Sequence, residues 1–127
     1  MGIEIRNILL VEDEAIIAMA LAADLEDMGY AVATAGSGEE AFAMVQQQLF
    51  DLVLMDIQLG GSWDGIETLK KIQEIADPRV VFITGNSERG TVSKLENLRT
   101  HGFLVKPVNL TDLQQLLKSI EHSVTKG

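Results

Sequence analysis

The chain has 127 residues, of which 46% are hydrophobic and 23% charged, and its formal net charge at pH 7 is −9. This length suits one domain with a sizeable buried core, and the acidic balance argues against nonspecific nucleic-acid binding, which needs a basic surface. Cysteine is absent, which excludes disulfides, thiolate metal sites and a cysteine nucleophile.

In the first half of the chain, short apolar runs alternate with segments of helical periodicity. Residues 8–11 predict a buried strand, and residues 14–28 predict a helix whose apolar face includes Ile17. Residues 30–35 predict a second strand. A second helix is predicted over residues 37–48, because a serine and a glutamate at its start form a capping-box pattern.

The second half of the chain repeats this alternation. Its predicted elements are, in chain order, a strand over residues 50–56, a helix over 64–75, a strand over 80–84, a helix over 88–99, a strand over 103–105 and a final helix. Either Asn109 or Thr111 caps the final helix. Five strand–helix units in succession favour an α/β fold, with a parallel sheet and helices on both of its faces.

Four of the five predicted strands end in a charged or hydroxyl-bearing residue. Glu12 and Asp13 come after the first strand, and Asp56 closes the third. Thr84 ends the fourth strand, and Lys106 follows the fifth. Ligands of parallel sheets bind beyond the carboxyl ends of the strands, so this regularity predicts one site assembled at that edge.

The residue types at these strand ends suit phosphoryl transfer. Glu12, Asp13 and Asp56 are expected to bring three carboxylates towards this edge, and like charges held close need a neutralising cation. An oxygen ligand set favours Mg²⁺ over zinc. Lys106 and Thr84 supply a positive charge and a hydroxyl donor for phosphate. A carboxylate in such a site can be the nucleophile that becomes an aspartyl phosphate.

These residues lie in short motifs that resemble those of a known family. The motifs are Val11-Glu12-Asp13-Glu14, Leu54-Met55-Asp56, Asp64-Gly65, Ile83-Thr84-Gly85 and Lys106-Pro107. Together they make the chain similar to the response-regulator receiver domains of two-component phosphorelay signalling. The resemblance implies a flavodoxin-like, doubly wound five-stranded parallel sheet in the order 2-1-3-4-5 with five helices. It also implies one receiver domain over residues 1–127, without an output domain.

The resemblance also implies a role for each residue of the acidic cluster. Asp56 would accept a phosphoryl group from a histidine kinase or a histidine phosphotransfer protein. Glu12, Asp13 and Asp56 would bind Mg²⁺, together with the backbone carbonyl of Gln58. Such a domain is a phosphoacceptor without a separate substrate, open to self-dephosphorylation, and is not counted as an enzyme.

The remaining site residues would read the phosphoryl group and transmit the change. Thr84 would hydrogen-bond the phosphoryl group, Lys106 would pair with it, and the bond from Lys106 to Pro107 would be cis. Phe103 occupies the aromatic switch position and would turn inward as Thr84 moves. The face formed by the fourth helix, last strand and last helix would then bind an effector protein or a second copy of the chain.

The loop from Leu59 to Trp63 departs from the family pattern. A proline is usual shortly after the acceptor strand, whereas this loop carries two glycines and is one residue longer. Its shape does not follow from the sequence. Trp63 either stacks over the site edge or covers core surface, and the second is favoured. Asp64 is expected to cap the next helix, with Gly65 easing the backbone.

Three other functions compete with this one. A receiver-like interaction module without phosphorylation would keep the fold alone. An aspartate-nucleophile phosphatase normally needs a second acid two residues beyond the nucleophile, where this chain has Gln58. A nucleotide-binding domain would need a glycine fingerprint or a P-loop, and neither occurs.

The sequence also bears on location. It contains no apolar stretch near the about 20 residues that span a bilayer, and no signal peptide is recognisable at its start. A cytoplasmic protein with protein partners, and without membrane or direct nucleic-acid partners, is therefore expected.

Overall fold

A computed structural model describes residues 4–85 and 100–123 of the chain. Within these residues the strands are β1 Asn7–Val11, β2 Ala31–Ala35, β3 Leu52–Asp56, β4 Arg79–Thr84 and β5 Phe103–Val105. The helices are α1 Ala15–Asp27, α2 Gly38–Gln47, α3 Gly65–Gln73 and α4 Leu110–Ser123. The helix predicted over residues 88–99 lies outside the described residues.

The five strands form one parallel sheet in the order β2-β1-β3-β4-β5. This confirms the predicted fold class and strand order. The direction in which strands are added reverses between β1 and β3: β2 lies on the outer side of β1, whereas β4 and β5 lie on the outer side of β3. The carboxyl ends of these two central strands therefore flank the point at which parallel sheets bind ligands.

Alternate residues of the strands enter two separate apolar cores. Leu10 and Leu54 face one side of the sheet, where they pack with α1 and α4. Leu9 and Val53 face the other side, where they pack with α2 and α3. Because both faces are covered, the central strands are apolar throughout, and a polar side chain can leave the core only at a strand end.

Side-chain caps fix where three of the helices begin. The Ser37 hydroxyl accepts the N–H of Glu40 at 3.1 Å, and Asp64 Oδ1 accepts the N–H of Glu67 at 2.8 Å. At α4, Asn109 Oδ1 accepts the N–H of Thr111 at 2.8 Å and that of Asp112 at 3.1 Å. Asn109 is therefore the cap of the two candidates.

In the described part of the chain, no helix is long and apolar enough to cross a bilayer.

Candidate functional site

Three carboxylates converge at the carboxyl ends of β1 and β3. Val11 pairs with Met55 in the sheet, so Glu12 and Asp13 leave β1 beside Asp56 at the end of β3. One oxygen from each carboxylate lies within 4.8 Å of the others. Glu12 and Asp56 are buried, at 3% and 2% exposure, whereas Asp13 is exposed.

Lys106 reaches this cluster from the end of β5. Its backbone N–H donates to the Thr84 carbonyl at 2.8 Å, which holds it beside the end of β4. Its ammonium lies 2.8 Å from Asp56 Oδ2 and 3.2 Å from Glu12 Oε2. The bond from Lys106 to Pro107 is cis, as predicted. One ammonium thus neutralises part of the charge of two buried carboxylates.

Each carboxylate also accepts a backbone N–H from a nearby loop. These hydrogen bonds run from Glu14 to Glu12 Oε1 at 3.2 Å, from Gln58 to Asp56 Oδ1 at 2.9 Å, and from Gly60 to Asp13 Oδ2 at 3.0 Å. Such bonds fix the orientation of a carboxylate. The loops after β1 and β3 therefore position all three acids.

Burial and the neighbouring charges shift the pKa values of Glu12 and Lys106. Burial raises the pKa of Glu12, and the neighbouring Asp56 raises it further. For Lys106, burial lowers the pKa, but the hydrogen bonds and charges of Asp56 and Glu12 outweigh it, so that the pKa is raised. The ammonium therefore stays protonated at neutral pH, and ionising Glu12 is costly unless a cation is added.

The cluster fits a divalent cation that prefers oxygen ligands. Within the described ranges, the grouped ligand residues are Glu12, Asp13 and Asp56, all of them carboxylates. Three ionised carboxylates and the Lys106 ammonium carry a net charge of −2, which one bound Mg²⁺ would neutralise. The donor set matches the oxygen preference of Mg²⁺, and a bound ion would supply positive charge for the oxygens of a phosphoryl group.

The other two predicted site residues lie on β4 and β5. Thr84 ends β4 with 8% exposure, one residue beyond Ile83, which pairs with Asp56. Phe103 begins β5 opposite Phe82 and is 41% exposed. The structure thus brings Thr84 to the edge that holds the acids and Lys106, whereas Phe103 lies two residues before the end of its strand.

Comparison with known proteins shows the family of this chain. The sequence model of the family described as "Response regulator receiver domain" matches residues 8–118. The chain belongs to this family. Receiver domains of response regulators are in general phosphoacceptors rather than enzymes, and they interact with kinases and effectors.

Similar proteins include two transcriptional regulators. The receiver domain is 34% identical over 122 residues to transcriptional regulatory protein PdtaR of Mycobacterium tuberculosis. This match covers 95% of this chain and 58% of that protein. It is 35% identical over 120 residues to ZraR of Escherichia coli K12, which covers 92% of this chain and 27% of that protein. The chain therefore spans a little over half of the first relative and about a quarter of the second.

Two solved response-regulator structures superpose on most of this chain. The N-terminal domain of a three-domain response regulator from Carboxydothermus hydrogenoformans superposes with a TM-score of 0.87 at 33% identity, covering 95% of this chain and 98% of that one. Response regulator TrrA from Thermotoga maritima, in complex with Mg²⁺ and BeF, superposes with a TM-score of 0.80 at 30% identity, covering 91% and 98%. The acidic cluster of this receiver domain thus resembles the magnesium site of its family.

Trp63 packs away from the acids, against the helices on one face of the sheet. Its ring meets Phe42 of α2 edge-on, with centroids 5.8 Å apart and an interplanar angle of 87°. Lys71 Nζ of α3 lies 5.6 Å from the centroid of the ring. This agrees with the favoured interpretation, in which Trp63 covers core surface. Gly61, with φ at +94°, makes the turn that leads to it.

Gly65 has a different purpose from the one expected. Its φ is not in the left-handed region, so it does not ease an unusual backbone conformation. A Cβ at Gly65 would instead collide with the carbonyl oxygen of Asp56 and lie 2.8 Å from Ile57 Cα. Glycine is needed because the first turn of α3 lies directly against the end of β3.

The sequence pattern missed an apolar cleft beside the site. Its volume is about 490 Å³, and it runs between α1 and the segment that joins β5 to α4, with Glu12 and Lys106 at one end. Ile17, assigned to the buried face of α1, is 39% exposed and lines this cleft together with Ile16, which is 84% exposed. The sequence feature that could have indicated this cleft is the composition of α1, which is apolar on more than one face.

Proposed function

We propose that this receiver domain accepts a phosphoryl group on Asp56 from a histidine kinase or a histidine phosphotransfer protein, in a reaction that depends on Mg²⁺. The observation that carries the proposal is the setting of Asp56. Its carboxylate ends a buried strand, beside two further acids and 2.8 Å from the Lys106 ammonium. A structural carboxylate would need only the ammonium, whereas a phosphoacceptor needs the ammonium and a cation site.

The transfer is a displacement at phosphorus. An oxygen of the Asp56 carboxylate attacks the phosphorus of a phosphohistidine, and the new P–O bond forms as the P–N bond breaks. The electron pair of that bond stays on the departing imidazole nitrogen. Lys106 then offsets charge on the phosphoryl oxygens, and the Thr84 hydroxyl donates a hydrogen bond to one of them.

The cation would be held by this chain's own oxygen atoms. Glu12, Asp13 and Asp56 supply carboxylates, and we assign a further ligand to the backbone carbonyl of Gln58. Gln58 is already fixed beside Asp56, because its N–H donates to Asp56 Oδ1. Support for magnesium comes from the oxygen-only donor set and from the family member bound to Mg²⁺ and BeF.

We propose that Thr84 and Phe103 convert phosphorylation into a change of surface. The Thr84 carbonyl accepts a hydrogen bond from the backbone N–H of Lys106, and Thr84 pairs with Val105 in the sheet. A movement of Thr84 towards the phosphoryl group would therefore act on β5, where Phe103 is partly exposed. The altered face would comprise β5, α4 and the helix predicted over residues 88–99. A downstream effector or a second copy of the chain would bind there.

The phosphodonor must place a histidine against Asp56, so its surface has to cover the rim of the site. The apolar cleft includes Glu12 and Lys106 in its lining, so it adjoins the site and forms part of this rim. Ile16 is 84% and Ile17 39% exposed, both of them in this cleft, and a contiguous exposed apolar surface of this kind marks a site of protein interaction. We therefore assign the donor's contact surface to this cleft.

Two alternative functions would use part of the same structure. The fold alone would serve an interaction module that is never phosphorylated, and such a module would not respond to beryllofluoride. An aspartate-nucleophile phosphatase would use the same nucleophile, but Gln58 stands where its general acid would be required.

We further propose that residues 1–127 form one receiver domain and that it works in the cytoplasm.

Incubation with acetyl phosphate and Mg²⁺ tests the proposal. We expect one phosphate on the unaltered chain and none on Asp56→Asn, measured by intact-protein mass spectrometry. Asp27→Asn, an exposed change at the far end of α1, is the matched control and should be labelled normally. Equal labelling of Asp56→Asn would rule out Asp56 as the acceptor.

A further inference from the structure

We propose that the backbone N–H of Gly60 is a positioning group for the cation site, which holds the exposed Asp13 carboxylate in place for Mg²⁺. The inference rests on the magnesium site of the proposed function and adds a group outside its ligand set. Gly60 lies 47 residues from Asp13 in sequence, and its N–H donates to Asp13 Oδ2 at 3.0 Å.

Asp13 is the one acid of the cluster that needs such a restraint. Glu12 and Asp56 are buried, and both contact the Lys106 ammonium. Asp13 is exposed, and in the part of the chain that the structure describes it forms no ion pair. The Gly60 N–H is therefore its fixed contact.

Electrostatics would otherwise move Asp13 away from the site. Like charges repel, and an exposed side chain can lower this repulsion by rotating towards water. A hydrogen bond to an ionised acceptor opposes that rotation, and it occupies only one of the two carboxylate oxygens. The second oxygen stays available to a cation, so Asp13 is arranged for binding before the ion arrives.

The residue type at position 60 matters for this contact. A proline, usual in the family shortly after the acceptor strand, has no N–H to donate. A Cβ at Gly60 would lie 3.2 Å from Asp13 Oδ2, so glycine also leaves room for the carboxylate. The unusual loop thus supplies a donor in place of the restraint that proline would give.

The test compares two variants at this position. Gly60→Pro removes the N–H, whereas Gly60→Ala keeps it and adds a Cβ at the same point. Position 60 is not in the left-handed region, so its backbone conformation does not strain the alanine variant. Calorimetric Mg²⁺ titration should give a Kd about tenfold higher for Gly60→Pro, the lower end of the loss when a group that orients a metal ligand is removed. Gly60→Ala should stay within about threefold of the unaltered chain, because the exposed Asp13 can shift slightly.

A second readout comes from Trp63, the only tryptophan of the chain, which lies at the end of the same loop. Because its ring packs against α2 and α3, its fluorescence in metal-free buffer should be the same in the unaltered chain and in Gly60→Ala. A different fluorescence of Gly60→Pro would show that this variant does not fold normally. If Gly60→Pro does not fold, glycolic acid incorporated at position 60 replaces the N–H by oxygen without adding a side chain. This form should show the same tenfold loss.

The outcomes separate this inference from the function on which it rests. Equal Mg²⁺ affinity of the proline variant and the unaltered chain would overturn it, as would an equal loss in the alanine and proline variants. In either case the unaltered chain still binds Mg²⁺ and is phosphorylated on Asp56. Failure of the unaltered chain to bind Mg²⁺ would instead refute the metal part of the proposed function, and this inference with it.

Discussion

The ammonium of Lys106 lies 2.8 Å from Asp56 Oδ2, although the two residues are 50 positions apart in the sequence. It also lies 3.2 Å from Glu12 Oε2, so one side chain joins the ends of β1 and β3 to the segment that follows β5. Both carboxylates are nearly inaccessible, whereas Lys106 is 24% exposed. The stability of the site therefore depends on this ammonium whenever no cation is bound.

Replacing Lys106 with methionine should destabilise the protein in metal-free buffer at pH 7. Removing one partner of a buried ion pair costs about 3–5 kcal/mol, and partial exposure of Lys106 reduces the expected loss to about 2 kcal/mol. Urea unfolding measures this change. The exposed Lys118 of α4 is the matched control, and Lys118→Met should have almost no effect. Equal stability of the two variants would mean that the ion pairs contribute little.

Gly65 should be the least replaceable glycine of the site region. Gly65→Ala would force a Cβ against the Asp56 carbonyl, and overpacking of this kind costs about 1–3 kcal/mol. Gly36 is the matched control, because a Cβ there meets nothing within 4 Å. The unfolding free energy of Gly36→Ala should lie within about 1 kcal/mol of that of the unaltered chain. Chemical denaturation of both variants checks the prediction, and a Gly65→Ala variant as stable as Gly36→Ala would contradict it.

Much of the fold follows from local patterns in the sequence. Buried parallel strands are short apolar runs, so their polar ends at Glu12, Asp56 and Lys106 can be read directly from the chain. The caps at Ser37 and Asp64 depend on residues three positions apart, and the structure has both as predicted. The common edge of the site follows from the strand directions alone.

Contacts between distant elements could not be predicted in the same way. The purpose of Gly65 depends on how closely α3 approaches β3, and that distance is set by packing. The exposure of Ile17 has the same origin, since α1 is apolar on several sides and only its neighbours decide which side is covered. The bond from Gly60 to Asp13 depends on a loop with two glycines, whose path has no periodic signal.

His101 gives the stability of the protein a measurable pH dependence. Its ring Nδ1 accepts the backbone N–H of Val80 at 3.3 Å, and the backbone N–H of His101 donates to the Val80 carbonyl at 2.7 Å. Partial burial and then the charge of Arg79 lower the pKa of His101 below its ordinary value of 6.5, although Asp77 opposes the shift. The folded protein therefore favours the neutral ring, which alone can accept the Val80 N–H.

The sign of the effect follows from this lowered pKa. Above pH 6.5 the ring is neutral in both states, and its contribution to stability is complete. As the pH falls from 6.5 through the folded pKa, the unfolded chain binds the proton first, and the contribution is lost. The difference in unfolding free energy between the unaltered chain and His101→Gln should thus shrink from pH 7.5 to pH 5. A difference that does not change with pH would show that the ring does not titrate in this range.

Ile16 should matter for a protein phosphodonor and not for a small one. We expect Ile16→Ser to slow phosphoryl transfer from a histidine-phosphorylated donor protein about tenfold, which corresponds to about 1.4 kcal/mol of lost contact. Labelling by acetyl phosphate should be unchanged, because Ile16 touches none of the reacting atoms. Ile75, 46% exposed beyond the end of α3 at the opposite edge of the sheet, is the matched control. If Ile75→Ser and Ile16→Ser slow the donor protein equally, the cleft is not its contact surface. If Ile16→Ser also slows acetyl phosphate, the substitution has disturbed the site itself.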